Sequence, residues 1–339
     1  MSAASQLQAA WLRRGGLARA LLPLSWLYLA LISLRAACFR LRLMRSVRLP
    51  VPVVVVGNLV AGGAGKTPTT IALVQLLRER GFAPGIVSRG YGRHSDNIVL
   101  LNRDTPVREA GDEPLLLHLR SGVPVAVGAD RVAAGQALLR AHPGVNIVVS
   151  DDGLQHQRLA RDAQVIVFDE RGAGNGWLLP AGPLREPVPA TVPPRSVVLY
   201  NAASPSTALR GHLAARRLTG LVPLAEWSQG RAAKPEAFAE LKGRSVLAAA
   251  GLARPQRFFE MLRAQGLSIT ELPLPDHHDF APLPWPADTS EVIVTEKDAV
   301  KLRPDAIGTT RVWVATLDFE LSPAFASELM QWLPATDRP

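Results

Sequence analysis

Short apolar runs alternate along this chain with segments in which apolar residues recur three or four positions apart. The runs predict buried strands and the spaced segments predict helices, of which residues 68–80 and 130–141 are the clearest. The runs that predict strands in the first half are residues 53–56, 85–88, 123–128, 147–150 and 164–170. Strands that alternate with helices predict an α/β fold with a doubly wound, mostly parallel sheet, whose ligands bind at the carboxyl ends of the strands.

A proline-rich segment follows these elements. Residues 180–194 contain six prolines, which exclude a regular helix and disfavour a strand. Further strand and helix patterns come after it and predict a second, smaller α/β lobe. The domain prediction is therefore an N-terminal arm at 1–50, a P-loop core domain at 51–179, a proline-rich linker at 180–195 and a second lobe at 196–339.

The first predicted strand runs directly into a glycine-rich loop, VVVVGNLVAGGAGKTP, at Val53–Pro68. Such a strand, loop and helix start together predict a site for the phosphates of a nucleotide, with Lys66 opposing phosphate charge and the Thr67 hydroxyl available to Mg²⁺. The backbone N–H groups expected to bind the phosphates are those of Val60, Ala61, Gly62, Gly63, Ala64, Gly65, Lys66 and Thr67. A nucleotide and Mg²⁺ are therefore the expected ligands of this loop.

This loop departs from the standard P-loop, which has glycine where this chain has Val60. The pattern GGxGKT also resembles the ParA-like and MinD-like ATPases, which are membrane-associated switches. Those proteins carry a second lysine at the position of Ala61. A switch ATPase is nevertheless the alternative function that the loop leaves open.

Acidic residues and histidines elsewhere supply candidate chemistry. Asp151 ends an apolar strand, as the Mg²⁺-binding carboxylate of P-loop enzymes does, and Asp152 follows it. Asp112 and Glu113 begin a predicted helix, where capping by Asp112 competes with a catalytic role. The segment DHHDF places His277 and His278 between Asp276 and Asp279 and favours a polar turn, with a metal site, which lacks a spaced partner cluster, or a histidine–carboxylate pair as the alternatives.

The basic charge is concentrated in the N-terminal arm. Residues 1–50 contain eight arginines and no lysine or acid, which leaves 30 basic and 29 acidic residues in the rest of the chain. A nearly neutral body gives no indication of a nucleic-acid partner. The single cysteine, Cys38, excludes an internal disulfide and fits a reducing compartment.

The arm is also apolar. Residues 20–34 form 15 positions without a charge, whereas a span needs about 20 residues. We expect a membrane-associated helix at the cytoplasmic face, lying in one leaflet or inserting partway, and a full span if Arg19 and Arg35 snorkel. A signal peptide has the same charge order, but export would separate a nucleotide site from its nucleotide. A soluble core helix is the remaining alternative.

Seven stretches taken in order carry a family resemblance. They are VVVVGNLVAGGAGKTP, VSRGYGR, GDEPLLL, SDDGLQH, PAGPLREP, PDHHDF and VTEKDAVKL. Together they resemble the tetraacyldisaccharide 4′-kinases, the lipid A kinases of Gram-negative bacteria, over residues 10 to 335. The resemblance implies two α/β lobes and transfer of the γ-phosphate of ATP to the 4′-hydroxyl of a tetraacyldisaccharide 1-phosphate, giving lipid IVA at the cytoplasmic face of the inner membrane.

The resemblance also implies residue roles. Asp112 and His277 would act together as base and orienter, with His278 the competing histidine, and Lys66 would neutralise phosphate charge. Magnesium would be held by Thr67 and Asp151, with Asp152 or Glu113 in support. The candidates for the phosphate or head group of the lipid are Arg89, Tyr91, Arg93 and Arg131.

Overall fold

The computed structural model describes residues 9–93 and 95–335, which form two compact units. The first unit comprises the chain up to Arg89, residues Val123–Ala215 and the chain from Glu320 onward. The second comprises Gly90–Gly122 and Arg216–Phe319. Each unit is therefore assembled from separate stretches of sequence.

Strands and helices alternate as the sequence predicts. The strands are β1 Val53–Gly57, β2 Pro84–Ser88, β3 Val99–Leu100, β4 Val125–Val127, β5 Ile147–Asp151, β6 Ala163–Asp169, β7 Ser196–Asn201, β8 His212–Leu213, β9 Ala215–Pro223, β10 Ser245–Ala250, β11 Ser268–Pro273, β12 Glu291–Thr295 and β13 Arg311–Glu320. The helices are Gly16–Ala20, Leu22–Arg40, Lys66–Glu79, Val107–Ala110, Asp112–Ser121, Arg131–Ala141, Leu224–Ser228, Ala237–Leu241, Pro255–Ala264, Glu296–Ala299 and Pro323–Met330.

The first unit is built on a parallel sheet. Its strands lie in the order β4-β2-β5-β1-β6-β7-β8, and the neighbouring pairs are parallel. All five residues of β1 are buried, because both faces of this central strand are covered. The carboxyl end of β1 lies between those of β5 and β6, which brings the P-loop and the Asp151–Asp152 pair to one edge. The predicted α/β fold is confirmed.

The second unit contains a smaller sheet in the order β11-β10-β12-β13-β9. The β10–β11, β10–β12 and β12–β13 pairs are parallel. Its core is closed by large buried side chains, among them Phe259, Leu262 and Trp313. This sheet corresponds to the second lobe that the sequence predicts.

The units divide the chain differently from the predicted boundaries at 179 and 196. β7 is buried at all six positions and pairs with β6 in the first unit, since its apolar sequence SVVLYN extends that parallel sheet. Residues 90–122, predicted as core, lie in the second unit. The proline-rich segment belongs to the first unit, where Leu184 forms an antiparallel bridge with Val60 of the P-loop.

The N-terminal helix Leu22–Arg40 packs on the first unit along one face only. Ser25 is buried; its hydroxyl donates to Leu178 O at 2.9 Å and accepts from the N–H of Ala181 at 3.0 Å. One turn later, the Tyr28 hydroxyl donates to Arg185 O at 2.9 Å. The predicted apolar helix is therefore present, longer than the uncharged run that predicted it.

The rest of this helix is exposed and apolar. Within the described part of the chain, it is the one helix long and apolar enough to cross a membrane. Its exposed large side chains are Leu24, Trp26, Leu27, Leu29, Leu31 and Leu34. Because so little of the helix is covered, the structure does not favour the alternative of a soluble core helix.

Candidate active site

The P-loop turns between β1 and the helix Lys66–Glu79. Gly62 and Gly65 have φ angles of +93° and +90°, which residues with a Cβ rarely adopt. Gly65 immediately precedes the helix, so the first turn of the helix points its free N–H groups at the loop. This is the strand, loop and helix arrangement that the sequence predicts for phosphate binding.

Lys66 is held inside the loop by two side chains. Its Nζ donates to Oδ1 of the fully buried Asn58 at 3.3 Å and lies 3.7 Å from Oδ1 of Asp152. Lys66 is itself only 9% exposed. The ammonium is thus oriented before any ligand binds.

One of the predicted phosphate donors is already engaged. The N–H of Ala61 donates to Pro183 O at 2.7 Å, and the N–H of Arg185 donates back to Leu59 O at 2.7 Å. These bonds join the proline-rich segment to the P-loop as a short antiparallel pair. The N–H group of Ala61, which the sequence predicts to bind phosphate, therefore already has a hydrogen-bond acceptor within the fold.

Asp151 and Asp152 lie at the carboxyl end of β5 in different surroundings. The carboxylate of Asp151, 1% exposed, accepts from the hydroxyls of Thr70 at 3.2 Å and Ser88 at 3.1 Å. The carboxylate of Asp152 accepts from Nη1 of Arg185 at 3.0 and 3.2 Å. Both carboxylates are therefore fixed by neighbouring donors.

These residues fit a magnesium ion that is shared with phosphates. Within residues 9–93 and 95–335, no group of three or more His, Cys, Asp or Glu side chains could hold a metal ion alone. Magnesium is usually bound by one or two carboxylates together with substrate phosphates and water, so such a cage is not required. The half-buried Thr67 in the first helical turn and the Asp151–Asp152 pair supply the expected oxygen ligands.

Arg131 and Arg89 are the two basic candidates in the first unit. Arg131 is 6% exposed and donates to Ala129 O at 3.0 Å and Asp152 O at 3.3 Å. Burial and the charge of Arg89 lower the pKa of Arg131 below its ordinary value, against the carboxylates of Asp152 and Asp151. Arg89 follows β2 and is exposed, so it is the more accessible of the two.

In the second unit, the structure brings Asp112 and His277 together. Nδ1 of His277 lies 2.8 Å from Oδ2 of Asp112, although the two residues are 165 positions apart. The side chain of Asp112 is 10% exposed and that of His277 is 41% exposed. His277 has a φ of +62°, a conformation that non-glycine residues adopt at a cost of about 1–3 kcal/mol. A buried carboxylate thus faces a more accessible imidazole.

The electrostatics of this pair favour a charged carboxylate. Burial acts to raise the pKa of Asp112, but the hydrogen bond to His277 and the charge of Lys297 outweigh it and leave that pKa below its ordinary value. The hydrogen bond to Asp112 raises the pKa of His277, while burial and the Lys297 ammonium oppose the rise. Asp112 is therefore an ionised hydrogen-bond acceptor at neutral pH.

Lys297 links the pair to two further acids. Its Nζ lies 3.3 Å from Nε2 of His277 and 3.4 Å from carboxylate oxygens of both Glu113 and Asp276. Burial acts to lower the pKa of Lys297, but these carboxylates and Asp112 outweigh it and raise that pKa. Glu113, predicted as a supporting magnesium ligand, is thus paired with an ammonium.

The adjacent histidine has different contacts. Nδ1 of His278 accepts from the N–H of Phe280 at 3.0 Å, and the imidazole packs edge-on against the Phe280 ring at 5.0 Å between centroids. Lys301 donates to His278 O at 2.9 Å. His278 therefore stabilises the conformation of the turn, whereas His277 contacts Asp112.

Residues of the SRGYGR loop lie beside the Asp112–His277 pair. The Tyr91 ring, 75% exposed, has its centroid 6.3 Å from that of His277. A Cβ on Gly111, whose φ is +84°, would lie 3.1 Å from Tyr91 O, so glycine permits this close approach. Arg93 donates to Asn97 O within its own loop.

The helix Asp112–Ser121 begins differently from its prediction. Gly111 occupies the N-cap position and makes no side-chain capping bond, and Asp112 is the first helical residue. The Asp112 carboxylate does accept from the N–H of Glu113 at 3.0 Å, but its other oxygen faces His277. The side chain therefore serves the histidine rather than a cap.

Several site residues were not among the sequence candidates. Lys297 stands in the motif TEKD and Arg185 in PAGPLREP. The sequence marked both motifs but did not show which residues these two side chains contact. Asn58 stands within the P-loop motif itself, whereas Arg171 and Asn201 contact the loop from positions with no motif of their own. Only the folded chain shows what these side chains reach.

Comparisons with known proteins agree over nearly the whole chain. The family model described as "Tetraacyldisaccharide-1-P 4'-kinase" (LpxK) matches residues 17–334. A tetraacyldisaccharide 4′-kinase of Methylibium petroleiphilum is 59% identical over 324 residues, which cover 94% of this chain and 90% of that protein. Its counterpart in Leptothrix cholodnii is 57% identical over 337 residues, covering 98% of this chain and 97% of that protein.

A solved structure agrees as well. The "apo" form of LpxK from Aquifex aeolicus, crystallised in complex with ATP, superposes with a TM-score of 0.76 at 26% identity. The match covers 94% of this chain and 100% of that one. Since the family model, the relatives and this fold all extend across both units, the chain belongs to the tetraacyldisaccharide 4′-kinase family.

Proposed function

We propose that this protein is an ATP-dependent lipid kinase. It transfers the γ-phosphate of ATP to the 4′-hydroxyl of tetraacyldisaccharide 1-phosphate and so forms lipid IVA. The observation that carries the proposal is the Asp112–His277 hydrogen bond of 2.8 Å, because such a pair can orient and deprotonate the acceptor hydroxyl as it attacks phosphorus. The whole-chain family match supports the same substrate.

The first unit binds ATP. Lys66, oriented by Asn58 and Asp152, neutralises charge that builds on the transferred phosphate. The N–H groups of the loop and of the first helical turn bind the phosphate oxygens. The Aquifex aeolicus neighbour, solved with ATP, supports this assignment.

Thr67 and Asp151 would hold Mg²⁺, with Asp152 in support. A bound magnesium ion would supply charge neutralisation at the β- and γ-phosphates. Asp151 already accepts two hydroxyl hydrogen bonds, so its contribution would go through water or through its remaining lone pairs. Glu113 is the weaker candidate because its carboxylate is paired with Lys297.

The second unit activates the sugar hydroxyl. Asp112 is kept ionised and accepts the proton of the 4′-hydroxyl as the oxygen attacks phosphorus. His277 orients the carboxylate through Nδ1. The exposed Arg89 and Tyr91 and the half-buried Arg93 are proposed to bind the lipid head group and its 1-phosphate, and the buried Arg131 to shape the site around Asp152.

We propose that the N-terminal helix holds the enzyme at the cytoplasmic face of the inner membrane. Its exposed leucines and Trp26 would enter the acyl region, and the arginines of the arm would contact anionic head groups. A substrate with four acyl chains stays in the bilayer, so the enzyme must reach it there.

Phosphate transfer tests the proposal directly. The full chain in detergent is incubated with Mg²⁺ and γ-labelled ATP, with and without tetraacyldisaccharide 1-phosphate, beside a Lys66→Ala control. We expect label on the lipid with the wild-type chain and none with the variant. Label released only as free phosphate, at a rate indifferent to the lipid, would instead support the ParA-like or MinD-like switch, an alternative that the family match does not favour.

A further inference from the structure

Side chains hold a run of carbonyl groups in the P-loop. Five consecutive carbonyl oxygens, from Val60 to Ala64, accept hydrogen bonds from only three residues. Asn58 donates to Val60 O and Gly62 O, Arg171 donates to Ala61 O and Gly63 O, and Asn201 donates to Ala64 O. The donors are spread over 143 positions and come from the ends of different strands.

Arg171 is the central member of this set. Its Nη1 lies 3.2 Å from Ala61 O and its Nη2 3.1 Å from Gly63 O, so one planar guanidinium spans alternate carbonyls. The opposite edge is fixed, because Nε lies 3.0 and 2.9 Å from the two carboxylate oxygens of Asp169, a residue 4% exposed. The guanidinium also lies against Gly62, where an added Cβ would be 3.2 Å from Nη1.

We propose that Arg171 is a positioning residue for nucleotide binding, which turns the P-loop carbonyls toward the protein so that the intervening N–H groups face the phosphates. Asn201 does the same at the end of the loop, at 3.1 Å from Ala64 O. Carbonyl oxygens that turned into the site would repel phosphate oxygens. Arg171 and Asn201, which we call the clamp, therefore raise the affinity for phosphate although neither side chain contacts it. The inference deepens the proposed function, since it rests on ATP as the ligand of this loop.

The loop departs from the standard motif at one of these positions. Val60 stands where a glycine would leave the backbone free to adopt the phosphate-binding turn. Here the Asn58 amide holds Val60 O, and the guanidinium of Arg171 holds the carbonyls of Ala61 and Gly63 through charge-assisted hydrogen bonds, which are stronger than neutral ones.

Binding measurements on the full-length protein in detergent test the clamp. We would titrate ATP and inorganic triphosphate into the wild-type chain, Arg171→Gln, Arg171→Lys and Arg140→Gln by calorimetry, without lipid. Arg140 is an exposed arginine of the helix Arg131–Ala141 and serves as the matched control. We expect Kd to rise about tenfold for both ligands in Arg171→Gln, as two charge-assisted bonds are lost. Arg171→Lys should restore little, because an ammonium cannot span two carbonyls.

Each result bears on the proposal. Wild-type Kd values in Arg171→Gln would overturn it, as would full recovery in Arg171→Lys, which would make charge rather than the fork responsible. Weaker ATP binding with unchanged triphosphate binding would assign Arg171 to the base or ribose. Should Arg171→Gln fail to fold, Asn201→Ala removes one donor and should weaken both ligands about threefold.

The outcomes separate the clamp from the kinase reaction. In the lipid assay, Arg171→Gln should raise KM for ATP while kcat changes little. The variant would bind ATP more weakly but in the same position, so the saturated enzyme would still transfer phosphate. A wild-type chain that binds triphosphate but labels no lipid would leave the clamp standing and remove the proposed kinase activity. A wild-type chain that binds neither ligand would overturn both.

Discussion

The contact between Lys297 and His277 determines which ring nitrogen of His277 carries the hydrogen. Nζ of Lys297 lies 3.3 Å from Nε2 of His277, and the other ring nitrogen lies 2.8 Å from Asp112. An ammonium can only donate, so Nε2 must accept and Nδ1 must carry the hydrogen that points at the carboxylate. Among the three side chains, this leaves Asp112 as the proton acceptor and His277 as its orienter.

Replacing Asp112 should therefore separate chemistry from nucleotide binding. Asp112→Asn keeps the shape of the side chain but removes its basic oxygen, and we expect lipid phosphorylation to fall by about 10²–10⁴-fold. Affinity for ATP should stay within about twofold, because the P-loop is unaltered. The two are measured by label transfer and by calorimetry, and near-normal turnover would remove Asp112 from the mechanism.

The adjacent histidines give a matched pair of variants. His277→Gln breaks the contact with Asp112 and should reduce kcat by roughly 10²-fold. His278→Gln alters a side chain that accepts from the N–H of Phe280, so it should affect stability more than turnover. Turnover and the apparent unfolding temperature are measured for both. A larger loss of kcat in His278→Gln would reverse the assignment.

Removing the charge of Lys297 should narrow the pH range of activity. That charge helps to hold the pKa of Asp112 below its ordinary value, so its loss raises the pKa and protonates the base at higher pH. In Lys297→Gln we expect the decline of kcat/KM on acidification to begin at a higher pH than in the wild-type chain. An acid limb that stays in place would contradict this. The exposed Lys242 of the same unit provides the control variant, Lys242→Gln.

The sequence predicted the parts of this site that form within one stretch of chain. β1, the glycine loop and the helix Lys66–Glu79 follow from local pattern, since period, glycine placement and helix start all agree. His277 could not be separated from His278, because adjacent turn residues differ only in which of them faces helix Asp112–Ser121 in the folded unit. The contacts of Arg171 could not be predicted either, because no motif or pattern around position 171 requires an arginine.

The domain boundary shows the same limit. Prolines indicate where helices cannot form, and the segment from Pro180 was predicted to separate two lobes. In the fold it pairs with the P-loop through Leu184 and Val60, and β7 beyond it completes the first sheet. Such pairing is non-local and depends on which apolar edge is left uncovered, which composition does not reveal.

The two faces of the N-terminal helix should have separable roles. Leu27, Leu31 and Leu34 are 58%, 57% and 63% exposed, whereas Ser25 and Tyr28 bind the first unit. Replacing the three leucines by glutamine should weaken binding to anionic vesicles about 100-fold or more, through lost burial of apolar surface, and leave the unfolding temperature unchanged. Vesicle co-sedimentation measures the loss, with Leu213→Gln in β8 as the control.

Deleting residues 1–45 is a less selective test of the same idea. It should also release the protein from vesicles, but it removes the partners of Leu178 O and Arg185 O and should lower the unfolding temperature as well. A truncated chain that still sediments with vesicles would reveal a second membrane surface. A triple leucine variant that sediments normally would assign membrane binding to the arginines instead.

His156 should make the first unit sensitive to acid. Burial and the charge of Arg131 lower the pKa of His156 from 6.5 to about 4, and Nδ1 accepts from the N–H of Leu159 at 3.3 Å, which requires the neutral ring. Between pH 6.5 and 4 the unfolded chain therefore binds a proton that the folded chain does not, so the free energy of unfolding falls as pH falls. Solvent reaches part of the ring, so we expect His156 to account for about 1 kcal/mol of this loss.

His156→Asn keeps an acceptor for Leu159 N–H but cannot titrate, so its stability should fall less steeply over this range. Unfolding by urea at pH 6.5, 5.5 and 4.5 measures the slope, with His142→Asn, at an exposed histidine, as the control. If the wild-type chain and His156→Asn lose stability in parallel, His156 takes up its proton at the same pH in the folded and unfolded chains, which would contradict the lowered pKa. Because Arg131 neighbours His156 and donates to Asp152 O, the same protonation would place a new charge close to the carboxylate pair at the end of β5.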